Sequence, residues 1–359
     1  MTNTVINTTS IRTVQSSKVI RQAMDEIIVA KLIGPPGDDN SIIYQPLSKF
    51  EKGGYVMVPT RRVDTGAALA AGADYERTGT RIPYSASQIT LAERGRPFRD
   101  AGKYETNQAV INTREQITLD MKNWYASEWD KFLIDALIVT TPAATLPAAA
   151  GMADSSYNVD YVGDASDWAG LGAEHQITAQ SISRAKRVAQ KRGIRKAKLP
   201  NGAMGYVMFL PIEATFALKL DTEFMQQAQF AMPRSEQHMF FTGNGPFPWA
   251  VYDGVFLIED LRASFGGDDT TFLHVEDMTP SPFIKFEGLL LGAQAIAYYK
   301  QEGPNYWEEI RNHGREFEAS VVVYDGVCKP QINFGAINTS TSVRDVGVLY
   351  FCGTAPRIY

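Results

Sequence analysis

The chain has 359 residues, 44% of them hydrophobic and 21% charged, with a formal net charge of −5. That is ordinary globular composition, and it excludes a disordered chain and a uniformly basic nucleic-acid binder. The cysteines, Cys328 and Cys352, lack metal-ligand spacing, the N-terminal stretch MTNTVINTTSIRTVQSSKVIRQAM has no secretory apolar core, and the apolar stretch GLLLGAQAIAYY is too short to span a bilayer. A protein made and folded in a cytosol is expected.

Residues 1–48 are polar and interrupted by GPPGDDN, with a short amphipathic piece near 19–33 that could be helical. So little apolar surface forms no core, so this arm must lie on something else or stay mobile. From Gly53 onward, GGYVMVPTRRVDT and TRIPYSASQITLAERGRPF read as extended segments around a Gly/Ala-rich tip, GAALAAGADYERTG. A long hairpin with so poor a tip is a protruding arm, because an isolated two-stranded ribbon is only marginally stable.

The strongest helical signal follows. Thr113 and Gln116 fit a capping box, Ile117, Met121 and Trp124 fall on one stripe, and Tyr125, Trp129, Phe132 and Ala136 fall on the next. A helix over 107–137 is about 45 Å long, and its aromatic stripe reads as core packing. Residues 140–172 read as an irregular excursion. The run ITAQSISRAKRVAQKRGIRKAKL then gives a second helix, ending near Gly193. It carries Arg184, Lys186, Arg187, Lys191, Arg192, Arg195, Lys196 and Lys198 with no acid among them; removing these eight charges from the net −5 leaves −13 on the rest. A helix C-terminus favours cations, so a solvated face and a surface facing DNA phosphates or an acidic neighbouring subunit are both open readings.

Next, GYVMFL reads as a strand and PIEATFALKL as a short helix with Pro211 in its first turn. FEGLLLGAQAIAYYK is a buried segment of open type. The string VYDGV occurs at 251–255 and at 323–327, flanked both times by β-branched and aromatic residues. Asp253-Gly254 and Asp325-Gly326 are thus each expected to form the type I′ turn of a hairpin. The class is α+β, with long antiparallel strands and no β-α-β alternation.

Catalytic patterns are missing. His175, His238, His274 and His313 stand apart, no H-E-x-x-H or G-x-S-x-G motif occurs, and GRPFRDAGKY (95–104) fails as a phosphate loop. GGDDTTFLHVED (266–277) gathers Asp268, Asp269, His274, Glu276 and Asp277; it is read as a solvated acidic turn in preference to a cation site. No catalytic, cofactor-binding or metal residue is assigned, no cofactor is expected, and the chain is read as a non-enzyme. Two alternatives stay open: a monomeric nucleic-acid-binding protein using residues 184–198, and an enzyme whose site is dispersed in the sequence.

Three stretches carry a family resemblance: YVMFLPIEATFALKLD; MFFTGNGPFPWAVYDGVFLIED; and GLLLGAQAIAYY with YWEEIRNHGREFEASVVVYDGVCKPQINFGAI. The chain resembles the major capsid proteins of tailed bacteriophages with the Hong Kong 97-type fold, and more narrowly the coat family of a large short-tailed coliphage. It departs from the family pattern at Leu210, where a His is usual, and at Asn312-His313-Gly314, where Asp-Tyr-Gly is usual. The resemblance implies an N-terminal arm (1–48), an extended hairpin loop (49–106), a peripheral domain with a long spine helix (107–198), an axial domain (199–315), and return strands with a C-terminal tail (316–359). It further implies self-assembly into hexamers and pentamers of an icosahedral shell enclosing double-stranded DNA. The partners implied are other copies of the chain, portal and scaffolding proteins, and DNA held by non-specific contact, without a membrane; the need for a cementing protein is left open. The location implied is the virion, with assembly in the host cytoplasm.

Overall fold

A computed structural model describes residues 32–47, 55–61, 84–99, 113–137, 158–199, 204–231, 248–260, 275–278, 281–311, 316–333 and 343–357. In chain order the first elements are β1 (Ile43–Tyr44), β2 (Tyr55–Arg61), β3 (Tyr84–Thr90), β4 (Ala92–Arg99), α1 (Thr113–Asp135), β5 (Val159–Tyr161) and α2 (Ala179–Lys191). There follow β6 (Ala197–Lys198), β7 (Met204–Pro211), α3 (Ile212–Leu220), α4 (Thr222–Ala231), β8 (Pro248–Tyr252), β9 (Val255–Asp260) and β10 (Val275–Asp277). The last are β11 (Phe283–Leu291), β12 (Ile296–Arg311), β13 (Glu316–Cys328), β14 (Gln331–Asn333), β15 (Val343–Asp345) and β16 (Val348–Pro356).

The long helix α1 starts at Thr113, the residue read as its cap, and its 23 residues make it about 34 Å long; residues 107–112 of the expected span lie outside the described residues. Ile117, Met121, Tyr125, Trp129 and Ala136 are buried as their spacing requires, together with Ala126 and Leu133, and Trp124 and Phe132 pack at the margin. This face lies on a four-stranded sheet of order β1-β12-β13-β4. Alternation along β13 sends Ala319, Val321, Val323 and Asp325 toward the helix, where Trp129 packs on Tyr298 of β12 at 5.7 Å between ring centroids.

The second sheet has eight strands, six of them in the order β5-β16-β11-β7-β9-β8, with β10 added on β11 and β6 on β7. Both faces are covered, so β7, β11 and β16 are apolar at nearly every position instead of alternating. One face packs on α2 and α3; the other joins the core beneath α1. The strands β7 and β9 run parallel, joined through α3, α4 and β8, and β5 runs parallel to β16. The expectation of no β-α-β alternation is therefore corrected: the crossover through α3 is one such unit. Pro211 is the N-cap of α3 rather than a first-turn residue. The segment of open type, FEGLLLGAQAIAYYK, resolves into β11, a four-residue turn containing Gln294 at positive φ, and the start of β12.

The two VYDGV strings differ. Asp253 and Gly254, at φ 47° and 74°, make the two-residue connection between Tyr252 and Val255. Asp325 and Gly326 are not a turn. They lie inside β13, where Asp325 pairs with both Lys300 and Ala92 and Gly326 pairs with Tyr299. The long antiparallel pair there is β12–β13; the residues that connect them, 312–315, lie outside the described residues.

The base of the extended hairpin is a two-stranded sheet of β2 and β3, in register from Tyr55–Thr90 to Arg61–Tyr84. Val56, Val58 and Ile89 face inward onto Ala297 and Cys328, while Tyr55 and Met57 face out. So the base packs on its own subunit; the tip, 62–83, is outside the described residues, as is all of the 19–33 arm piece except Leu32 and Ile33.

The strand β16, from the C-terminal stretch, lies between β5 and β11 in the eight-stranded sheet, and α2 packs on that same sheet. The expected cut at 315/316 falls between β12 and β13, which pair with each other in the four-stranded sheet, and the cut at 198/199 falls between β6 and β7, which pair in the eight-stranded one.

Candidate functional site

Helix α2 presents the basic segment. Thr178 caps it: its hydroxyl oxygen accepts from the Ser181 backbone N–H, and the Ser181 hydroxyl accepts from the Thr178 N–H. Ala179, Ile182, Ala185 and Ala189 form the buried stripe against the eight-stranded sheet, leaving the cations outside. Beyond the helix, Gly193 at φ 82° reverses the chain and Ala197 is buried between outward Lys196 and Lys198.

The eight cations divide by partner. Arg184 donates to the Gly163 carbonyl and faces Asp160 at 3.5 Å. Lys186 donates to the carbonyl and carboxylate of Asp253 at 2.5 and 2.7 Å, clamping the β8–β9 turn onto the helix. Arg192 donates to the Val159 carbonyl at 2.9 Å, and Arg195 to the Gln294 side-chain oxygen at 3.0 Å. These four hold the subunit together. Arg187, Lys191, Lys196 and Lys198 are exposed, and no acid pairs with them among the described residues. Sequence inspection found no acid within the segment; the acids arrive from β5 and the β8–β9 turn, which chain distance conceals. Burial pushes the Asp160 carboxyl up, against the pull of Arg184 and then Arg192.

A second cluster, unnoticed in the sequence, centres on the other VYDGV. Asp325 is fully buried and accepts from Arg94 of β4 at Nε (2.9 Å) and at Nη2 (2.5 Å), and from the Tyr298 hydroxyl at 3.2 Å. The Arg94 guanidinium also lies 3.6 Å over the Phe132 ring of α1. One side chain thus joins the hairpin-loop strand, the return strand and the long helix. Burial first, and then the Asp325 charge, pushes the phenols of Tyr298 and Tyr125 up, so neither ionises near neutrality. Gly326 serves close approach: a Cβ there would meet the Thr90 carbonyl oxygen at 2.4 Å.

A third cluster ties the C-terminal strands to α1. Lys329, nearly fully buried, donates to the Tyr350 hydroxyl at 2.7 Å and faces Asp345 at 3.4 Å; Tyr350 donates in turn to the Leu137 carbonyl at 2.7 Å. The buried Lys329 and Asp345 charges therefore face each other, as burial demands.

Nothing catalytic is assembled among the described residues. His175 is buried, its Nδ1 accepting from the Gly172 N–H and its Nε2 bonded to exposed Asp164 at 3.0 Å. His238, His274 and His313, and Asp268 and Asp269 of the acidic stretch, lie outside the described residues; Glu276 accepts from the Trp168 indole at 2.6 Å. The described residues hold no group of His, Cys, Asp and Glu that could bind a metal ion. Burial pushes the Cys328 thiol up to about 12 and that of Cys352 well above its usual value, so both stay protonated.

What remains exposed and unexplained is surface. Across the outward face of the four-stranded sheet, Trp307 stands 57% exposed beside Ser320 and Pro97, the next row being Asn305, Val322 and Gly95.

A model of the phage capsid protein family matches residues 7–352. No curated protein matches. Among solved structures, the capsid of Ralstonia phage GP4 is similar over 93% of both chains, at 14% identity and a TM-score of 0.72. The capsid asymmetric unit of cyanophage Pam1 is similar over 92% of both, at 16% and 0.66. The head of Helicobacter pylori bacteriophage KHP40 covers 91% of this chain and 90% of its own, at 14% and 0.62. At such identities the likeness establishes the fold, which is of the Hong Kong 97 type.

Proposed function

The chain belongs to the phage capsid protein family, and from that premise we propose that it works as the major shell subunit of a tailed phage, structural rather than catalytic. Copies assemble into the hexamers and pentamers of an icosahedral shell that encloses double-stranded DNA. The observation that carries this is the family match across 7–352, joined to a fold whose long helix and two sheets align with capsid subunits over more than nine-tenths of their length.

A division into two domains is part of this reading, and the two sheets support it. The peripheral domain comprises α1 with β4, β12 and β13; the axial domain comprises the eight-stranded sheet with α2, α3 and α4, including the C-terminal β16. Contact of the extended hairpin loop with a neighbouring subunit is part of the same reading, supported by the sequence of 62–83, which is poor in large apolar residues. Portal and scaffolding proteins are partners during assembly in the host cytoplasm, and DNA is held without base contacts. The narrower likeness to the coat of a short-tailed coliphage rests on the three sequence stretches alone.

Electron microscopy and light scattering of the protein taken from virions test the reading. Closed megadalton particles are expected; a stable, fully functional monomer or dimer would refute it.

A further inference from the structure

We propose that His175 is a pH latch on the turn that leads into α2: neutral, it closes the turn; protonated, it releases Gly172 and grips Glu174 instead.

The turn is closed twice by one residue. The His175 backbone N–H donates to the Gly172 carbonyl at 3.0 Å, and its ring Nδ1 accepts from the Gly172 N–H at 2.9 Å. A backbone amide can only donate, so Nδ1 carries a lone pair. The proton of the neutral ring therefore sits on Nε2, where it faces Asp164 at 3.0 Å. One tautomer is thus fixed by the fold. The ring has little room to flip and exchange its nitrogens: His175 is 5% exposed, and a Cβ on Gly163 would meet its Cδ2 at 2.7 Å. The closed turn docks on β16. Thr354 donates its N–H to the His175 carbonyl at 2.9 Å and its hydroxyl to the Gly172 carbonyl at 3.1 Å. Ile177 returns a bond to the Thr354 carbonyl at 3.1 Å, and the α2 cap Thr178 follows directly.

A second proton changes the pairing. Once both ring nitrogens carry hydrogen, Nδ1 is a donor and the bond from the Gly172 N–H is lost. An acceptor stands ready, because the Glu174 carboxylate lies 3.4 Å from Nδ1. It also lies against the Gly172 backbone, where a Cβ would meet its Oε1 at 2.6 Å. The charges facing the ring pull both ways. Asp164 and Glu174, from the loop itself, stand at the two nitrogens and attract the added proton. Arg184 of α2, bonded to the Gly163 carbonyl, opposes it, with its own charge facing Asp160 of β5 at 3.5 Å. The β16 contact is Thr354, which is uncharged. Two arrangements of one side chain, biased by a single proton, are what a pH switch needs.

Amide hydrogen exchange of the full-length protein, read at Gly172 and divided by the intrinsic rate at each pH, tests the latch. Protection there should fall about tenfold or more between about pH 8 and pH 5, the span over which imidazoles take up protons. Amides of the β11–β16 ladder should keep theirs. Glu174→Gln weakens the acceptor that the protonated ring uses, so the midpoint of the fall should move down by about half a pH unit or more. His175→Asn puts an amide oxygen near the Nδ1 position, an acceptor at every pH, and should make Gly172 protection independent of pH. Glu174 is exposed, so Glu174→Gln should melt with the parent and carries the test if His175→Asn fails to fold. Equal parental protection at both ends of the range, a fall that persists in His175→Asn, or an unmoved midpoint in Glu174→Gln would overturn the proposal.

Discussion

Replacing Arg94 by Met should be among the most damaging changes that leave every apolar contact of the core in place. The variant keeps the stem that packs beneath α1 and removes the guanidinium. Asp325, with a fully buried side chain, then keeps only the 3.2 Å bond from Tyr298. Stranding a buried charge in this way costs about 3–5 kcal/mol. The reverse change is milder. In Asp325→Asn the guanidinium loses its counter-charge, but its side chain is 18% exposed and rests on the Phe132 ring, so water can reach it; about 1.5–3 kcal/mol is expected from the charge-assisted bonds lost. The double variant buries no charge and should be more stable than Arg94→Met alone, with a coupling of about 0.5–3 kcal/mol. Urea unfolding of dissociated subunits measures all three. An Arg94→Met loss below about 1 kcal/mol, or strict additivity, would show that the pair is solvated and refute the argument.

Gly254→Val and Gly326→Val should both destabilise the subunit, for different reasons. The first forces a β-branched residue to φ 74°, costing about 1–3 kcal/mol; the second drives a side chain into the Thr90 carbonyl. Ala separates them in kind, since at Gly326 even one methyl meets backbone, whereas at Gly254 the nearest atom is the Lys186 ammonium at 4.0 Å; equal parental stability of Gly326→Ala would contradict the close approach. Because burial raises the Asp160 carboxyl pKa in the fold, this group favours the folded state below its ordinary pKa, and that benefit is lost as pH rises through the raised value. Asp160→Asn should therefore match the parent in acid and exceed it at neutral pH, so urea midpoints that stay parallel across pH would contradict it. Replacing residues 66–79 with a two-residue turn should leave subunit melting unchanged and abolish closed shells in micrographs; normal shells would show the tip dispensable.

How far the sequence could be read follows from the range of the forces that set each element. The stripe of α1, the β7 strand and the first Asp-Gly turn are decided by neighbours a few residues apart, and pattern alone locates them. The second VYDGV has the same five letters, and its fate is set by partners 231 residues away at Arg94 and by a strand that must approach Gly326. Local preference favoured a turn there, and a buried counter-charge with two flanking strands outweighed it. The basic segment misleads for the same reason: its neutralising acids, Asp160 and Asp253, belong to other elements. Trp307 gave no signal at all, because one aromatic among the several of its strand, Tyr298, Tyr299 and Tyr306 with it, reads as core until the register shows which face it occupies.

The two misreadings share a physical origin that bears on assembly. A chain whose oppositely charged groups lie far apart in sequence satisfies some of them on folding, as Arg94 with Asp325 and Lys186 with Asp253 do. It leaves Arg187, Lys191, Lys196 and Lys198 exposed, with no acid paired to them among the described residues. Exposed charges add little to a monomer, and salt screens them over about 8–10 Å, so this remainder is free to govern encounter between copies. Raising salt should accordingly slow shell formation while leaving finished shells intact, because the charges steer association and apolar surface buried between copies resists dissociation. Kinetic light scattering of assembly across salt concentrations, beside the dissociation of preformed shells under the same conditions, measures the two separately. Equal salt sensitivity of both would show that charge, and not buried apolar surface, holds the shell together.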